Sequence, residues 1–428
     1  MSTARFVPVS RVTLLALFLG TAALVFAHAH PLTGWAYADW AAASAEARQS
    51  LALAGVWAAG CAAWAASLHA TPASATCPVS AVRNGAPLVR SQGSLLIGAA
   101  ALGQVLGLAP LYLWCAIHTT YEADLRPFVI ASGFAALIAF VGFGYLCGVL
   151  LPRLLATPAA TVLTFGAIAF TDPGGSPLAP VWPFDVAAGL AEPRSVAILR
   201  VAFFLTTATL SLLASARWLK DRRTTPSTLA PAVAMLLPLV VVVLLTGANA
   251  PTLVHRDSEA QPRCTVVGVS QVCLHPARAD LLPDVADLVR GMTDVVGPEA
   301  PAPARIYDAT SPLPGASKGL ALQLQYEDRE RWPAFVALDL ASFLIGTADC
   351  EPDSTGSGSS PGDVSSAAVV WLASQVDSDA AAIAITGPAG GLTSRLLQAD
   401  PNSVASLLRR SLRDLRACRA TIADLLPS

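Results

Sequence analysis

Charge is what this chain has least of. Asp, Glu, Lys and Arg make up 13% of its 428 residues, against about 25% in ordinary soluble proteins. Lysine occurs only at Lys220 and Lys318. Neither closes a Gly-rich loop of the Gly-Lys-Ser/Thr kind, so the chain lacks a Walker-type cradle of its own for ATP. His-Glu-x-x-His and Cys-x-x-Cys are also missing, which removes the commonest zinc-site readings. Acidic residues are scarcest in the first half. Residues 1–251 carry 8 of them with 13 basic ones, whereas residues 252–428 carry 21 with 14. The net acidic tail disfavours nucleic acid or an anionic leaflet as its partner.

What replaces charge is apolar bulk: 54% of residues are hydrophobic and the mean hydropathy is +0.56. Seven apolar stretches fall at 12–29, 51–68, 93–117, 128–150, 154–170, 195–216 and 229–248. Spanning a bilayer takes about 20 residues of helix. These are unbroken runs of Ala, Leu and Val without the alternation of a barrel wall, and only helices or closed barrels satisfy their own backbone in lipid. The shortest stretch, LLATPAATVLTFGAIAF, carries Pro158. The expected fold is a polytopic α-helical membrane protein of about seven transmembrane helices over 1–250, followed by a small extracytoplasmic α+β domain over 251–428.

Basic residues set the expected orientation. With a cytoplasmic N-terminus, nine fall inside (Arg5, Arg11, Arg83, Arg90, Arg153, Arg217, Lys220, Arg222, Arg223) and three outside (Arg48, Arg126, Arg194). Seven crossings then carry the tail to the exterior of the plasma membrane. The basic start, apolar core and Ala27-His28-Ala29 triplet resemble a secretory signal. The core is long for that role, and an uncleaved first helix is the preferred reading.

An external tail with four cysteines, Cys264, Cys273, Cys350 and Cys418, points to disulfides. Cys264–Cys273 and Cys350–Cys418 are the favoured pairs among three possible connectivities, contributing about 2–3 and about 4 kcal/mol by chain entropy. A metal site is the weaker reading, since the tail adds only His255 and His275. Strands are expected at 265–270, 304–309 and 320–327, and helices at 276–296, 330–346, 364–376 and 402–425.

Catalytic patterns are thin. Gly358-x-Ser360-x-Gly362 matches a nucleophile elbow in form, yet it lies in a Ser/Gly/Pro loop with no histidine after it. His275-Pro276 reads as a helix start rather than as a partner for Cys273. Trp35, Tyr37, Trp40, Tyr121, Trp182 and Phe184 fit an interfacial belt better than a ligand entrance. The seven stretches hold no Asp or Glu, which disfavours proton- or sodium-coupled transport. Arg200, about five residues into the sixth stretch, is the one candidate intramembrane functional residue. Its stem is expected to snorkel to the headgroups.

GFGYLCGVLLPRLLATPAATVLTF (142–165) and CTVVGVSQVCLHPARADLLPDVADLV (264–289) resemble, respectively, the glycine-bearing helices and the appended external domain of ABC-2-type transporter permeases of high-GC Gram-positive bacteria. The resemblance implies a permease-like subunit, not itself an enzyme, that works with a separate cytoplasmic ATP-binding subunit, and it implies no functional residues. The chain departs from that family in a Pro/Ser-rich first loop, 70–91, and in an external C-terminus. The partners expected are the bilayer, that ATP-binding subunit and a second copy of the chain; no catalytic residue, metal or cofactor is expected. The alternative is a membrane-anchored protein whose acidic tail binds an external ligand. An alkaline phosphatase reporter fused after Ser428 is expected to be active in whole cells; an inactive reporter would overturn the orientation.

Overall fold

The computed structural model describes residues 9–70, 85–119, 125–169, 178–181, 190–221, 255–256, 261–297, 303–309, 319–322, 329–346, 360–384 and 390–426. They form two compact units, residues 1–33 with 39–255 and residues 34–38 with 256–428.

The first unit is helical: α1 (Arg11–Ala29), α2 (Trp40–Gln49), α3 (Leu51–Ala70), α4 (Gly85–His118), α5 (Pro127–Leu150), α6 (Arg153–Ala169) and α7 (Arg194–Asp221). Five segments are long and apolar enough to cross a membrane: Arg11–Gly34, Trp40–Leu68, Ala86–His118, Pro127–Leu150 and Arg194–Leu219. Helix α6 is apolar but shorter. The seventh expected stretch, 229–248, lies outside the described residues.

The second span starts earlier than the apolar run suggests. Asp39 caps α2 by accepting from the Ala41 and Ala42 amides at 2.7 and 3.1 Å, the usual office of an N-cap aspartate. The Ser50 amide and hydroxyl both donate to the Glu46 carbonyl, so the chain passes from α2 into α3 with only a local hitch. Between α5 and α6, Leu151 is extended before Pro152, as the residue ahead of a proline prefers.

Helix α5 is the centre of this unit, with most of its residues buried. Lipid provides no hydrophobic drive between apolar helices, so they associate by close packing of small residues. Gly144 and Gly148 supply that closeness against α3. A Cβ on Gly144 would lie 2.2 Å from the Ala59 carbonyl oxygen, and one on Gly148 2.3 Å from that of Ala63. Across the remaining faces, the Tyr145 hydroxyl donates to Gln92 Oε1 of α4 at 2.9 Å, and Phe204 and Ala208 of α7 join the same core.

The second unit holds a four-stranded sheet in the order β1-β2-β3-β4: β1 (Arg263–Val267), β2 (Ser270–Leu274), β3 (Arg305–Asp308) and β4 (Leu320–Leu322). Strands β1 and β2 are antiparallel; β2, β3 and β4 run parallel. The single strand expected at 265–270 is instead a hairpin. Gly268 takes φ +58° while Val269 keeps an ordinary φ, the pattern of a two-residue loop with glycine first. Cys264 and Cys273 face each other across it and form a disulfide. Cys418 is disulfide-bonded too, and Cys350 lies outside the described residues.

Helix α8 (Leu282–Val296) buries Val285, Leu288, Val289, Met292 and Val296, the amphipathic face visible in the sequence. Helices α9 (Trp332–Ile345), α10 (Pro361–Ser374), α11 (Asp379–Ala384), α12 (Gly390–Gln398) and α13 (Pro401–Arg416) complete the unit. Helix α13 ends well before the expected residue 425. Cys418 is left-handed at φ +50°, and the Arg419 amide donates to the Asp414 carbonyl, a Schellman-type stop made without glycine. Two α13 arginines then satisfy carbonyls at other helix ends. Arg409 donates to Val295 and Asp294 of α8, and Arg416 to Leu344 and Phe343 of α9. A buried ion pair joins Arg278 to Asp308, and Arg278 also donates to the Tyr37 hydroxyl at 2.9 Å.

Gly144→Leu is expected to part α3 from α5 and lower the stability of the detergent-purified protein by about 1–3 kcal/mol or more, read as a drop in Tm. Gly98→Leu, at a position where a Cβ meets nothing within 4 Å, is the control and should leave Tm unchanged.

Candidate functional site

The helical unit places three charged side chains together where its sequence suggested one. Arg48 lies one residue from the end of α2, Arg200 in the second turn of α7, and Glu192 two residues before α7 begins. Arg48 Nη1 donates to Glu192 Oε2 at 3.1 Å and Oε1 at 3.5 Å. Arg200 Nη1 donates to Oε1 at 2.5 Å. The exposures of Arg48, Arg200 and Glu192 side chains are 0%, 0% and 2%. Arg200 therefore does not snorkel outward as expected; it turns into the bundle and meets a carboxylate.

Burial pushes the Glu192 carboxyl above its ordinary range, while the charge and hydrogen bond of Arg48 and the charge of Arg126 pull it back. A charge sequestered among apolar helices is costly. Two guanidinium groups sharing one carboxylate offset much of that cost, and removing the carboxylate takes an ion-pair partner from both buried cations.

Around this triad the same end of the unit is held by polar contacts. His28 Nδ1 lies 2.5 Å from Glu46 Oε1. Gln104 of α4 donates to the Ala47 carbonyl at 2.6 Å. The Arg126 amide donates to Ser44 Oγ at 3.1 Å. The approach of α5 to α2 requires Gly133, where a Cβ would fall 2.3 Å from the Ala47 carbonyl oxygen. Beside the triad is a cavity of about 330 Å³ lined by Arg126, Phe128, Glu192 and Arg194 among others, with the Arg194 guanidinium 4.4 Å from the centre of the Phe128 ring.

The remaining sequence candidates take plain structural roles. The Ser360 hydroxyl accepts from the Asp363 amide in a capping box that opens α10, which accounts for it without a nucleophile elbow. His275 is buried, and its Nδ1 accepts from the Ala277 amide at 3.2 Å at the start of a short 3-10 turn. Tyr37 is buried, and Trp40 packs against Tyr112; Tyr121, Trp182 and Phe184 lie outside the described residues. Among the described residues no group of three or more His, Cys, Asp or Glu is placed to hold a metal ion.

Reading the sequence missed Arg48 and Glu192 because both sit beside, not within, an apolar run. The usable signal was scarcity: in a half of the chain with only 8 acids, each one near a helix end demands a cationic partner.

Glu192→Gln is expected to cost about 3–5 kcal/mol, seen as a lowered Tm of the full chain in detergent; wild-type unfolding would show that the two arginines are neutralised without this carboxylate. Compared with known proteins, the chain matches no family model, no curated protein and no solved structure.

Proposed function

We propose that the chain is a permease-like subunit of an ABC-type transporter that works with a separate ATPase. The observation that carries this reading is the buried Arg48–Glu192–Arg200 triad among helices apolar enough to cross a membrane. A mere anchor has no use for charge inside its bundle, and ionisable groups in such places mark pathways and binding sites. The lack of a nucleotide loop in the chain leaves the energy source to a partner. In this reading α6 and the 229–248 stretch complete seven crossings, the N-terminus is cytoplasmic, and the disulfide-bearing unit faces the exterior.

A second reading is favoured by one observation of its own. The acidic second unit packs its own core around a disulfide-stapled hairpin, as a membrane-anchored external binding domain would. Affinity purification of the full chain in mild detergent separates the two. The transporter reading expects a co-purifying protein with a Walker loop, lost when residues 70–91 and 217–228 are replaced by Gly/Ser linkers. Recovery of the chain without any such ATPase would remove that reading and leave the anchored binding domain.

A further inference from the structure

A groove of about 370 Å³ lies between the early turns of α1 and α6 and the middle of α3, and its walls are mainly apolar. Its back wall is fixed by packing. The Trp57 indole N–H donates to the Ala16 carbonyl at 3.3 Å, and a Cβ on Gly20 would fall 2.2 Å from Trp57 Nε1. Gly60 lets α6 approach on the other side, where a Cβ would fall 2.8 Å from Thr161 Cγ2. Val12 on the rim is 76% exposed, which leaves the groove open from the side.

A cation stands at one edge. The Arg153 guanidinium lies 4.8 Å from the centre of the Trp64 ring, and Trp64 lines the groove. Arg153 is exposed and makes no ion pair among the described residues. Residues 1–38, 47–121 and 125–171, which include all three helices, contain no Asp or Glu, so the walls bring it no carboxylate. A guanidinium stacked on an aromatic face keeps its in-plane N–H donors for an oxyanion. One turn along α6, about 6 Å by helical rise, Thr157 also lines the groove. Its hydroxyl is buried and has no hydrogen-bond partner among the described residues, a need that lipid hydrocarbon cannot meet.

We propose that this groove holds one anionic glycerophospholipid, its phosphate against Arg153, an ester carbonyl at Thr157 and an acyl chain along Trp57 and Cys61. The order of cation, hydroxyl and apolar wall matches the order of groups along such a molecule. Rotation about χ1, which has two wells for threonine in a helix, turns the Thr157 hydroxyl toward the ester. The volume is at the small end of ligand sites and takes part of one chain. Helices α1 and α6 both begin at this end, the level at which headgroups and tryptophans meet a spanning helix. The inference rests on the bilayer placement of the helical unit, common to both readings above, and not on an ATPase partner.

Native mass spectrometry of the full chain in mild detergent, with equal phosphatidylglycerol and phosphatidylcholine added, tests it. One phosphatidylglycerol is expected to survive activation that strips the other lipids, retained about tenfold over phosphatidylcholine as befits a charge-assisted contact. Arg153→Gln should bring the two lipids level. Thr157→Val keeps the shape and removes the unpartnered hydroxyl, so it should weaken retention several-fold without lowering Tm. Ala16→Phe, at an exposed position in the lining, puts a ring in the groove and should lower retention of both lipids. A preference that survives Arg153→Gln, or retention untouched by Ala16→Phe, overturns the proposal. So does a disulfide in intact membranes between Cys61 and the thiol introduced by Leu239→Cys, which makes the 229–248 stretch of the chain itself the occupant. None of these readouts depends on an ATPase, so failure here and failure of the transporter reading are separate events.

Discussion

Two guanidinium groups sharing a single carboxylate, buried among predominantly apolar helices, constrain how the helical unit can be arranged. Neither Arg48 nor Arg200 could be buried alone, because an isolated charge in such surroundings would cost many kcal/mol. Glu192 makes both tolerable and thereby ties the end of α2 to the second turn of α7. The segment ahead of α7 must return to the bundle to deliver that carboxylate. Specificity of arrangement, rather than net stability, is what such a pairing contributes best.

The pairing works only because the helices are already close. Gly133, Gly144 and Gly148 place α5 directly against the carbonyls of α2 and α3. Small residues at these crossings do in lipid what large apolar residues do in water. The glycine that admits α5 to Ala47 also brings Arg126, the residue ahead of α5, into the neighbourhood of Glu192. Packing and electrostatics are thus two descriptions of one end of the unit, where polar ties such as Gln104 to Ala47 and Ser44 to Arg126 accumulate.

The second unit is built by different rules. Its sheet and helices bury Val, Leu, Ile and Met along amphipathic faces, the economy of a water-soluble domain. Its charged groups are spent on termini: Asp363 in a capping box, Arg409 and Arg416 on the carbonyls that close α8 and α9. Arg278 with Asp308 takes an ion pair into its interior. A chain poor in charge therefore uses it in one way among apolar helices and in another around a conventional core.

Hydropathy and period alone determined the broad division of this protein: apolar helices first, then a smaller unit mixing helix with sheet, its α8 face and its Cys264–Cys273 pairing legible from residue spacing. These are local properties, decided by neighbours within a turn or a strand. The start of the second span at Trp40 was hidden because Ala-rich α2 is too polar to register as membrane helix until Asp39 caps it and α5 covers it. The hairpin turn at Gly268 and the stop of α13 at Cys418 were hidden because one ends in valine and the other uses a left-handed residue other than glycine. That Arg48 shares the carboxylate lying eight residues ahead of Arg200 could be named only by the tertiary structure, since it depends on two helices distant in sequence lying side by side. No window of sequence contains that proximity; it exists only once glycine-lined crossings have fixed the bundle.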